Sequence, residues 1–93
     1  MRERDVEDYL CIRVRAMGGE VRKVRWISRN GAPDRRVMLP TGLCFWAELK
    51  RPGERPSHAQ EREHRRMRRC GERVEVIDSF GRVDEVLERG AAS

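Results

Sequence analysis

Residues 31–50 read GAPDRRVMLPTGLCFWAELK, which is two short apolar runs separated by Pro-Thr-Gly. A short glycine-containing loop between two such runs predicts a β-hairpin. If the hairpin is centred on Thr41, the pairing count places Asp34 of the first strand opposite Glu48 of the second. Because directly opposite residues of an antiparallel pair point to the same side of the sheet, we expect the two carboxylates to lie close together.

Lys50 joins this pair, since residues two apart on a strand share a face. Two carboxylates placed opposite each other repel, and a divalent cation between them removes the repulsion while using their oxygens as hard ligands. A nearby ammonium group can orient and acidify a water molecule bound to that metal ion. Asp34, Glu48 and Lys50 therefore predict the site of a metal-dependent phosphodiesterase.

These residues resemble the PD-(D/E)xK nuclease pattern, because Pro33 precedes the aspartate and one residue separates the glutamate from the lysine. More of the chain is similar to one branch of that superfamily, the virus-type replication-repair nuclease (VRR-Nuc) domain. The similar pieces follow in order along nearly the whole chain: Glu7 in an opening helix that ends at Met17-Gly18-Gly19, then Gly31-Ala32-Pro33-Asp34, Glu48-Leu49-Lys50, and Gln60 at the start of a later helix. The ordered set is more specific than the PD…ExK signature alone.

The resemblance implies a single small PD-(D/E)xK-like α/β domain over residues 1–93, with a mixed central sheet and flanking helices. It implies a metal-dependent DNA endonuclease of replication and repair that leaves a 5′-phosphate; stand-alone viral members resemble junction resolvases, so branched or four-way-junction DNA is the expected substrate. The implied ligands of Mg²⁺ or Mn²⁺ are Glu7, Asp34, Glu48 and the backbone carbonyl of Leu49. The implied catalytic residues are Asp34, Glu48, Lys50 and Gln60.

The bulk composition bounds the size of the core and the class of partner. With 93 residues, of which 38% are hydrophobic and 40% charged, the chain predicts one domain with a small core. A symmetric homodimer would enlarge that core and supply a second site. The net charge of +5 and the pI of about 9.8 favour an anionic partner, most simply nucleic acid, with a merely basic surface as the alternative.

The cysteines and the hydropathy indicate the compartment. Cys11, Cys44 and Cys70 are an odd number at wide spacing, which argues against a disulfide framework and fits a reducing cytosol. The resemblance to a viral nuclease family implies that this is the cytoplasm of a bacterial or phage-infected cell. They do not form a zinc pattern with His58 and His64. No apolar run approaches the roughly 20 residues that span a bilayer, so we expect no membrane partner.

Hydrophobic periodicity and turn residues predict the order α-β-β-β-α-β-α. The expected elements are a helix over 3–17, a strand over 21–27, the hairpin, a helix over 57–70, a strand over 74–77, and a last helix capped by Asp78 or Ser79 and ended by Gly90. Residues 90–93 are expected to form a disordered tail.

Basic residues on two elements predict the contacts to DNA phosphates. They are Arg62, Arg65, Arg66 and Arg69 on the helix over 57–70, and Lys23 and Arg25 in the predicted first strand. The alternative is a solvated helix face on which Glu61 and Glu63 offset the positive charge. Trp26, directly after Arg25 in sequence, is expected to be either a core side chain or a base-stacking one.

Three further residues have both a structural and a functional interpretation. Glu7 either joins the metal site or is one of several solvated acids near a helix N-terminus. Gln60 forms a capping box with Ser57, and its side chain can also reach the metal site or the DNA backbone. His64 lies in the expected inward row of that helix, with Gln60, Met67 and either Cys70 or Gly71, so packing competes with a role as ligand or general base.

Two further function classes remain possible. A non-catalytic nucleic-acid-binding subunit would keep the arginine-rich helix without turning over substrate. A plain interaction module would explain the charge and leave the convergence of Asp34, Glu48 and Lys50 to chance.

Overall fold

The computed structural model of the chain describes residues 1–92, with the side chains of residues 1–89. Its elements are α1 (Glu3–Ala16), β1 (Glu20–Lys23), β2 (Arg35–Met38), β3 (Cys44–Leu49), α2 (His58–Arg69), β4 (Val74–Ile77) and α3 (Phe80–Ala92). This is the order that the sequence predicts. In the described part of the chain, no helix has the length and apolar character needed to cross a membrane.

The four strands form one mixed sheet in the order β1-β2-β3-β4. The first three strands are antiparallel neighbours, whereas β3 and β4 are parallel. A parallel pair needs a crossover connection, and α2 supplies it. The predicted fold class, an α/β domain with a mixed central sheet and flanking helices, is therefore confirmed.

The register of the β2–β3 hairpin is the predicted one. Arg35 pairs with Ala47 and Val37 with Phe45, so the next position outward sets Asp34 against Glu48. The turn is closed by two backbone hydrogen bonds, in which the N–H of Leu39 donates to Leu43 and that of Gly42 donates to Leu39, both at 2.9 Å.

The hydrophobic core fills the space between one face of the sheet and the helices α1 and α3. Its side chains include Val6, Leu10 and Val14 of α1, Val37, Phe45, Ala47, Leu49 and Ile77 of the sheet, and Val83, Val86 and Leu87 of α3. Each large apolar side chain buried here contributes roughly 1.5–3 kcal/mol to folding. At the rim, the Tyr9 hydroxyl donates to Asp84 at 2.8 Å and joins α1 to α3.

Helix α2 lies on the other face of the sheet and begins with the predicted capping box. The Ser57 hydroxyl accepts from the Gln60 backbone N–H at 3.2 Å, while the Gln60 side-chain oxygen accepts from the Ser57 N–H at 2.8 Å. The buried residues are Glu63, His64 and Met67. The prediction that Cys70 faces inward is wrong, because the helix ends at Arg69 and Cys70 is exposed.

The first strand is shorter than predicted, since β1 ends at Lys23 rather than at residue 27. The backbone leaves the ladder after Val24, whose N–H donates to the Asp34 carbonyl at 2.9 Å. Ser28 then adopts a left-handed conformation with φ of 60°, which a strand does not allow. The segment over 24–32 is therefore a loop.

The last helix begins as predicted and ends later than predicted. The Ser79 hydroxyl accepts from the Arg82 N–H at 3.0 Å and caps α3. The helix continues past Gly90 to Ala92, since the alanines that follow the glycine favour helix. Of the tail predicted over 90–93, Ser93 and the side chains of residues 90–92 lie outside the described part of the chain.

Substitution of two glycines would show how tightly the loop over 24–32 packs against α2. Gly31 and Gly42 both have positive φ, 84° and 90°, but a Cβ on Gly31 would lie 2.6 Å from the Ala59 carbonyl oxygen, whereas one on Gly42 would meet no atom within 4 Å. We expect Gly42→Ala to lower the free energy of unfolding by about 1 kcal/mol, the cost of left-handed backbone. Gly31→Ala should cost a further 1–3 kcal/mol, roughly, from the clash.

Urea denaturation of both variants measures the difference. Equal losses of stability would mean that the loop yields to the added methyl group and is not fixed by its packing on α2.

Candidate active site

Asp34 is held by its backbone while its side chain stays accessible. Its carbonyl accepts from Val24, and the preceding Pro33 is buried, with a carbonyl that accepts from the Trp26 indole at 2.7 Å. The Asp34 side chain is 51% exposed. The strand end is therefore fixed, and the carboxylate it carries is open to solvent.

Glu48 is a buried carboxylate with one hydrogen-bond partner on each oxygen. Glu48 is 7% exposed, and its side chain points to the face of the sheet that α2 covers. His64 Nε2 lies 3.1 Å from Oε1, and the Gln60 amide donates to Oε2 at 3.4 Å. A buried carboxylate is costly unless it is hydrogen-bonded, so α2 makes the burial of Glu48 possible.

Gln60 combines the two interpretations that the sequence leaves open. Its side-chain oxygen completes the capping box with Ser57, and its amide nitrogen reaches Glu48. His64 likewise is packed, at 1% exposure, and contacts Glu48 through its ring nitrogen. One helix thus supplies both partners of the carboxylate.

Lys50 lies just beyond the end of β3 and is partly buried. Its backbone N–H donates to the Ile77 carbonyl at 2.9 Å, which extends the β3–β4 pairing by one residue. Alternation places its side chain on the same side as that of Glu48, while Leu49 between them is buried in the core. The backbone of Leu49 therefore runs between the two predicted catalytic side chains.

Glu7 meets a residue for which the sequence predicts no role. It lies on α1 and forms an ion pair with Arg35, whose guanidinium also lies 3.0 Å from the Asp34 carboxylate. The Arg35 side chain is 11% exposed. Burial opposes its charge, but the carboxylates of Glu7 and Asp34 outweigh burial and raise the pKa of Arg35 above its ordinary value.

The three predicted acidic ligands are thus divided between two sets of contacts. Among the described residues, no three His, Cys, Asp or Glu side chains are grouped closely enough to hold a metal ion as they lie. The donor chemistry nevertheless suits Mg²⁺ or Mn²⁺, because carboxylate oxygens are hard ligands. Glu7 and Asp34 together carry two formal negative charges against the single positive charge of Arg35, so this end of the sheet keeps a net negative charge that attracts a cation.

Comparisons with known proteins agree with this arrangement. No protein-family model matches the chain. A solved structure described as a VRR_NUC domain superposes with a TM-score of 0.84 at 41% sequence identity, over 92% of this chain and 94% of that one. The chain belongs to the VRR-Nuc nuclease family. A phage protein named "Putative nuclease p44", from Acyrthosiphon pisum secondary endosymbiont phage 1, is 43% identical over 79 residues, 85% of each chain.

The predicted basic residues of the VRR-Nuc domain fall into two groups, one near the end of β1 and one on α2. Lys23 and Arg25 line the same surface depression as Asp34 and Trp26. Trp26 is half-buried and lies 5.1 Å from the ring of Trp46, outside the main hydrophobic core of the described residues. These two cations lie beside the carboxylate.

The arginines of α2 differ in their contacts within this nuclease. Arg62, Arg65 and Arg69 are exposed on the face of the helix away from the sheet. Arg66 donates to Glu63 at 3.0 Å and remains 44% exposed. Arg68 donates to the Val74 carbonyl at 2.7 Å and so has a structural role.

Glu63 is buried, so it is not one of the solvated acids that would offset the positive charge on the surface of α2. The Arg29 side chain donates to its two carboxylate oxygens at 3.0 and 3.1 Å, which joins the loop over 24–32 to α2. These hydrogen bonds hold the pKa of Glu63 below its ordinary value of 4.5 against the opposing effect of burial, and Arg66 adds to them.

Sequence reasoning misses Arg35 and the Arg29–Glu63 pair. For Arg35 a signal is present, since the register count that sets Asp34 against Glu48 also sets Arg35 against Ala47, on the face that α1 covers. For Arg29 no comparable signal exists, because the residue lies in a loop 34 positions from its partner.

The Glu63 carboxylate gives a pH-dependent test of this contact. Because its pKa is lowered on folding, its stabilisation is present above pH 4.5 and is lost as the pH falls through the folded-state pKa. We expect Glu63→Gln to lower the melting temperature by about 4–8 °C at pH 7. The difference from wild type should shrink as the solution is acidified below pH 4.5.

Thermal unfolding followed by circular dichroism between pH 7 and pH 3, approximately, makes the measurement. Glu61→Gln, an exposed acid on the same helix, is the control and should unfold as wild type does. A pH-independent loss in Glu63→Gln would contradict the ion-pair account.

Proposed function

We propose that this VRR-Nuc nuclease is a divalent-metal-dependent DNA endonuclease that hydrolyses phosphodiester bonds in replication or repair. The observation that supports it best is the hairpin register, which sets Asp34 against Glu48, with Lys50 two residues further along the chain, just beyond the end of β3. The support is specific because the partners of Glu48, His64 and Gln60, hold a carboxylate in place rather than neutralise it with an arginine.

The residues that would hold Mg²⁺ or Mn²⁺ are Glu7, Asp34, Glu48 and the backbone carbonyl of Leu49. The bound ion would polarise the scissile phosphate and stabilise charge on the leaving oxygen. Lys50 orients the attacking water and stabilises the negative charge that develops on the phosphate. His64 and Gln60 fix the direction of the Glu48 carboxylate, since each oxygen has its own partner.

The basic surface supports DNA as the substrate. Lys23 and Arg25 would bind the phosphates next to the cleaved bond, because they share a depression with Asp34. The exposed α2 arginines, Arg62, Arg65 and Arg69, with Arg66 beside them, would bind phosphates further along the strand.

We further propose that the protein acts as a homodimer on branched or four-way-junction DNA. A domain of 10.9 kDa presents one site and little surface on which to hold a duplex, and a symmetric pair would supply two sites. The three free cysteines and the similarity to a phage protein support a cytoplasmic location, in a bacterial or phage-infected cell, for this activity.

A non-catalytic nucleic-acid-binding subunit is the second candidate. The Arg35 ion pairs favour it, since a guanidinium engages two of the three acidic side chains that a metal ion needs. In that case the protein would bind DNA through its arginines and would depend on a partner for cleavage.

Cleavage of labelled DNA separates the two candidates. We expect linear, flap and four-way-junction substrates to be cut with Mg²⁺ or Mn²⁺ and not with EDTA. Asp34→Asn, Glu48→Gln and Lys50→Met should each reduce the rate by roughly 100-fold or more, because each removes electrostatic stabilisation of the transition state. Asp8→Asn, an exposed acid on α1, is the control and should cut as wild type does.

Binding without cleavage on any of the three substrates would favour the non-catalytic subunit. Cleavage that survives EDTA or all three substitutions would place the activity elsewhere. Preference for the junction, with a mass in solution of twice 10.9 kDa by light scattering, would support the dimeric junction-cutting form, and a monomer that prefers flaps would contradict it.

The salt dependence of binding tests the α2 arginines. In an Asp34→Asn background, which prevents cutting, we expect Arg62→Gln and Arg65→Gln each to weaken binding and to reduce the slope of log affinity against log salt concentration by about 0.9. Arg15→Gln changes an exposed arginine on α1, across the sheet, and serves as the control. Fluorescence anisotropy between 50 and 200 mM salt, approximately, measures the slopes; unchanged slopes would remove α2 from the interface.

A further inference from the structure

Arg35 lies where two predicted ligands from different elements approach each other. It begins β2 and pairs with Ala47, so its side chain points to the face of the sheet that α1 covers. Its guanidinium contacts Glu7 of that helix through Nε and a terminal nitrogen, and contacts Asp34 through the other terminal nitrogen at 3.0 Å. The three side chains form one cluster that we call the Arg35 cluster.

The charges of this cluster explain its geometry. Two carboxylates brought together repel, and a planar guanidinium between them offers each a charge-assisted hydrogen bond in a fixed direction. The Arg35 side chain is 11% exposed, against 28% for Glu7 and 51% for Asp34, so the cation is the most buried of the three. The guanidinium is therefore a partly buried cation that contacts both carboxylates.

Glu48 stands outside the Arg35 cluster. Its two oxygens are held by His64 and Gln60 from the opposite face of the sheet. One predicted ligand is thus fixed by neutral or titratable partners, while the other two share a permanent cation. A metal ion that binds all three carboxylates must therefore replace the Arg35 guanidinium at Glu7 and Asp34, whereas it has no arginine to replace at Glu48.

We propose that Arg35 is a built-in counterion that a divalent cation must displace from Glu7 and Asp34, so that Arg35 sets the metal affinity of the site. This inference rests on the metal dependence proposed above. It makes Arg35 a positioning residue, since it acts through the two carboxylates. It also accounts for the three acidic side chains not being grouped as they lie.

The neighbouring Arg36 offers a matched control. It is also partly buried and ion-paired, with Glu72 at 3.7 Å, and it lies over the Trp46 ring at 4.9 Å. Its side chain points to the opposite face of the sheet from Arg35. Arg36→Met therefore removes the same charge from the same strand without touching the Arg35 cluster.

The test measures Mn²⁺ binding by calorimetry and the melting temperature in EDTA and in Mn²⁺ for wild type, Arg35→Met and Arg36→Met. We expect Arg35→Met to bind Mn²⁺ roughly tenfold more tightly, because two ion pairs of ordinary strength no longer compete. In EDTA it should melt about 5 °C lower, since the carboxylates lose their counterion, and Mn²⁺ should restore most of the difference. Arg36→Met should match the Mn²⁺ affinity of wild type.

A wild-type measurement keeps the inference testable if Arg35→Met does not fold. In labelled protein, Mg²⁺ should change the nuclear magnetic resonance signal of the Arg35 Nε–H together with the backbone signals of Asp34, while the Arg36 Nε–H signal stays constant.

Three outcomes would overturn the inference in distinguishable ways. If wild type binds Mn²⁺ through Asp34 and Glu48 but Arg35→Met binds it equally or more weakly, the counterion role fails and the metal-dependent function stands. If Mg²⁺ shifts the Asp34 signals and leaves Arg35 unchanged, the same conclusion follows. If neither wild type nor Arg35→Met binds Mn²⁺, both the counterion role and the proposed metal dependence fail.

Discussion

The antiparallel pairing of β2 with β3 is the constraint on which both the core and the site depend. Because side chains of a strand alternate between the two faces of the sheet, a single register determines which residues lie on each face. With Val37 opposite Phe45, the apolar side chains enter the core beneath α1 and α3, and Asp34 comes opposite Glu48. A slip of one residue would expose the core side chains and separate the two carboxylates, so packing energy fixes the geometry of the acidic site.

The opposite face of the sheet depends on contacts between α2 and the loop over 24–32. Glu63 holds Arg29 of that loop, and Gly31 lies against the Ala59 carbonyl with no room for a side chain. The loop leads directly into Asp34, and the same helix holds Glu48 through Gln60 and His64. The loop that leads into Asp34 and the side chain of Glu48 therefore both depend on contacts with α2.

The parts of the fold predicted from sequence are those that follow from local periodicity. The element order, the hairpin register and the capping of α2 and α3 each depend on residues a few positions apart. The predictions that are wrong concern features determined by the local backbone conformation of a loop or by contacts between residues distant in sequence. The end of β1 depends on the left-handed Ser28, and the burial of Glu63 depends on Arg29. For Arg35, the register alone indicates the face of the sheet to which its side chain points. Its ion pair with Glu7 could not be predicted, because it depends on where α1 packs.

The sparse packing of α2 has a consequence for the durability of the site. This helix, all of which the structure describes, buries one apolar side chain, Met67, beside the two polar residues Glu63 and His64. Segments with few buried apolar contacts open locally at a lower free energy than the whole domain. Since both partners of Glu48 lie on α2, a brief opening of this helix would release the carboxylate while the sheet and its core stay intact. Local opening of this one helix would therefore disturb the acidic site at a lower free-energy cost than global unfolding.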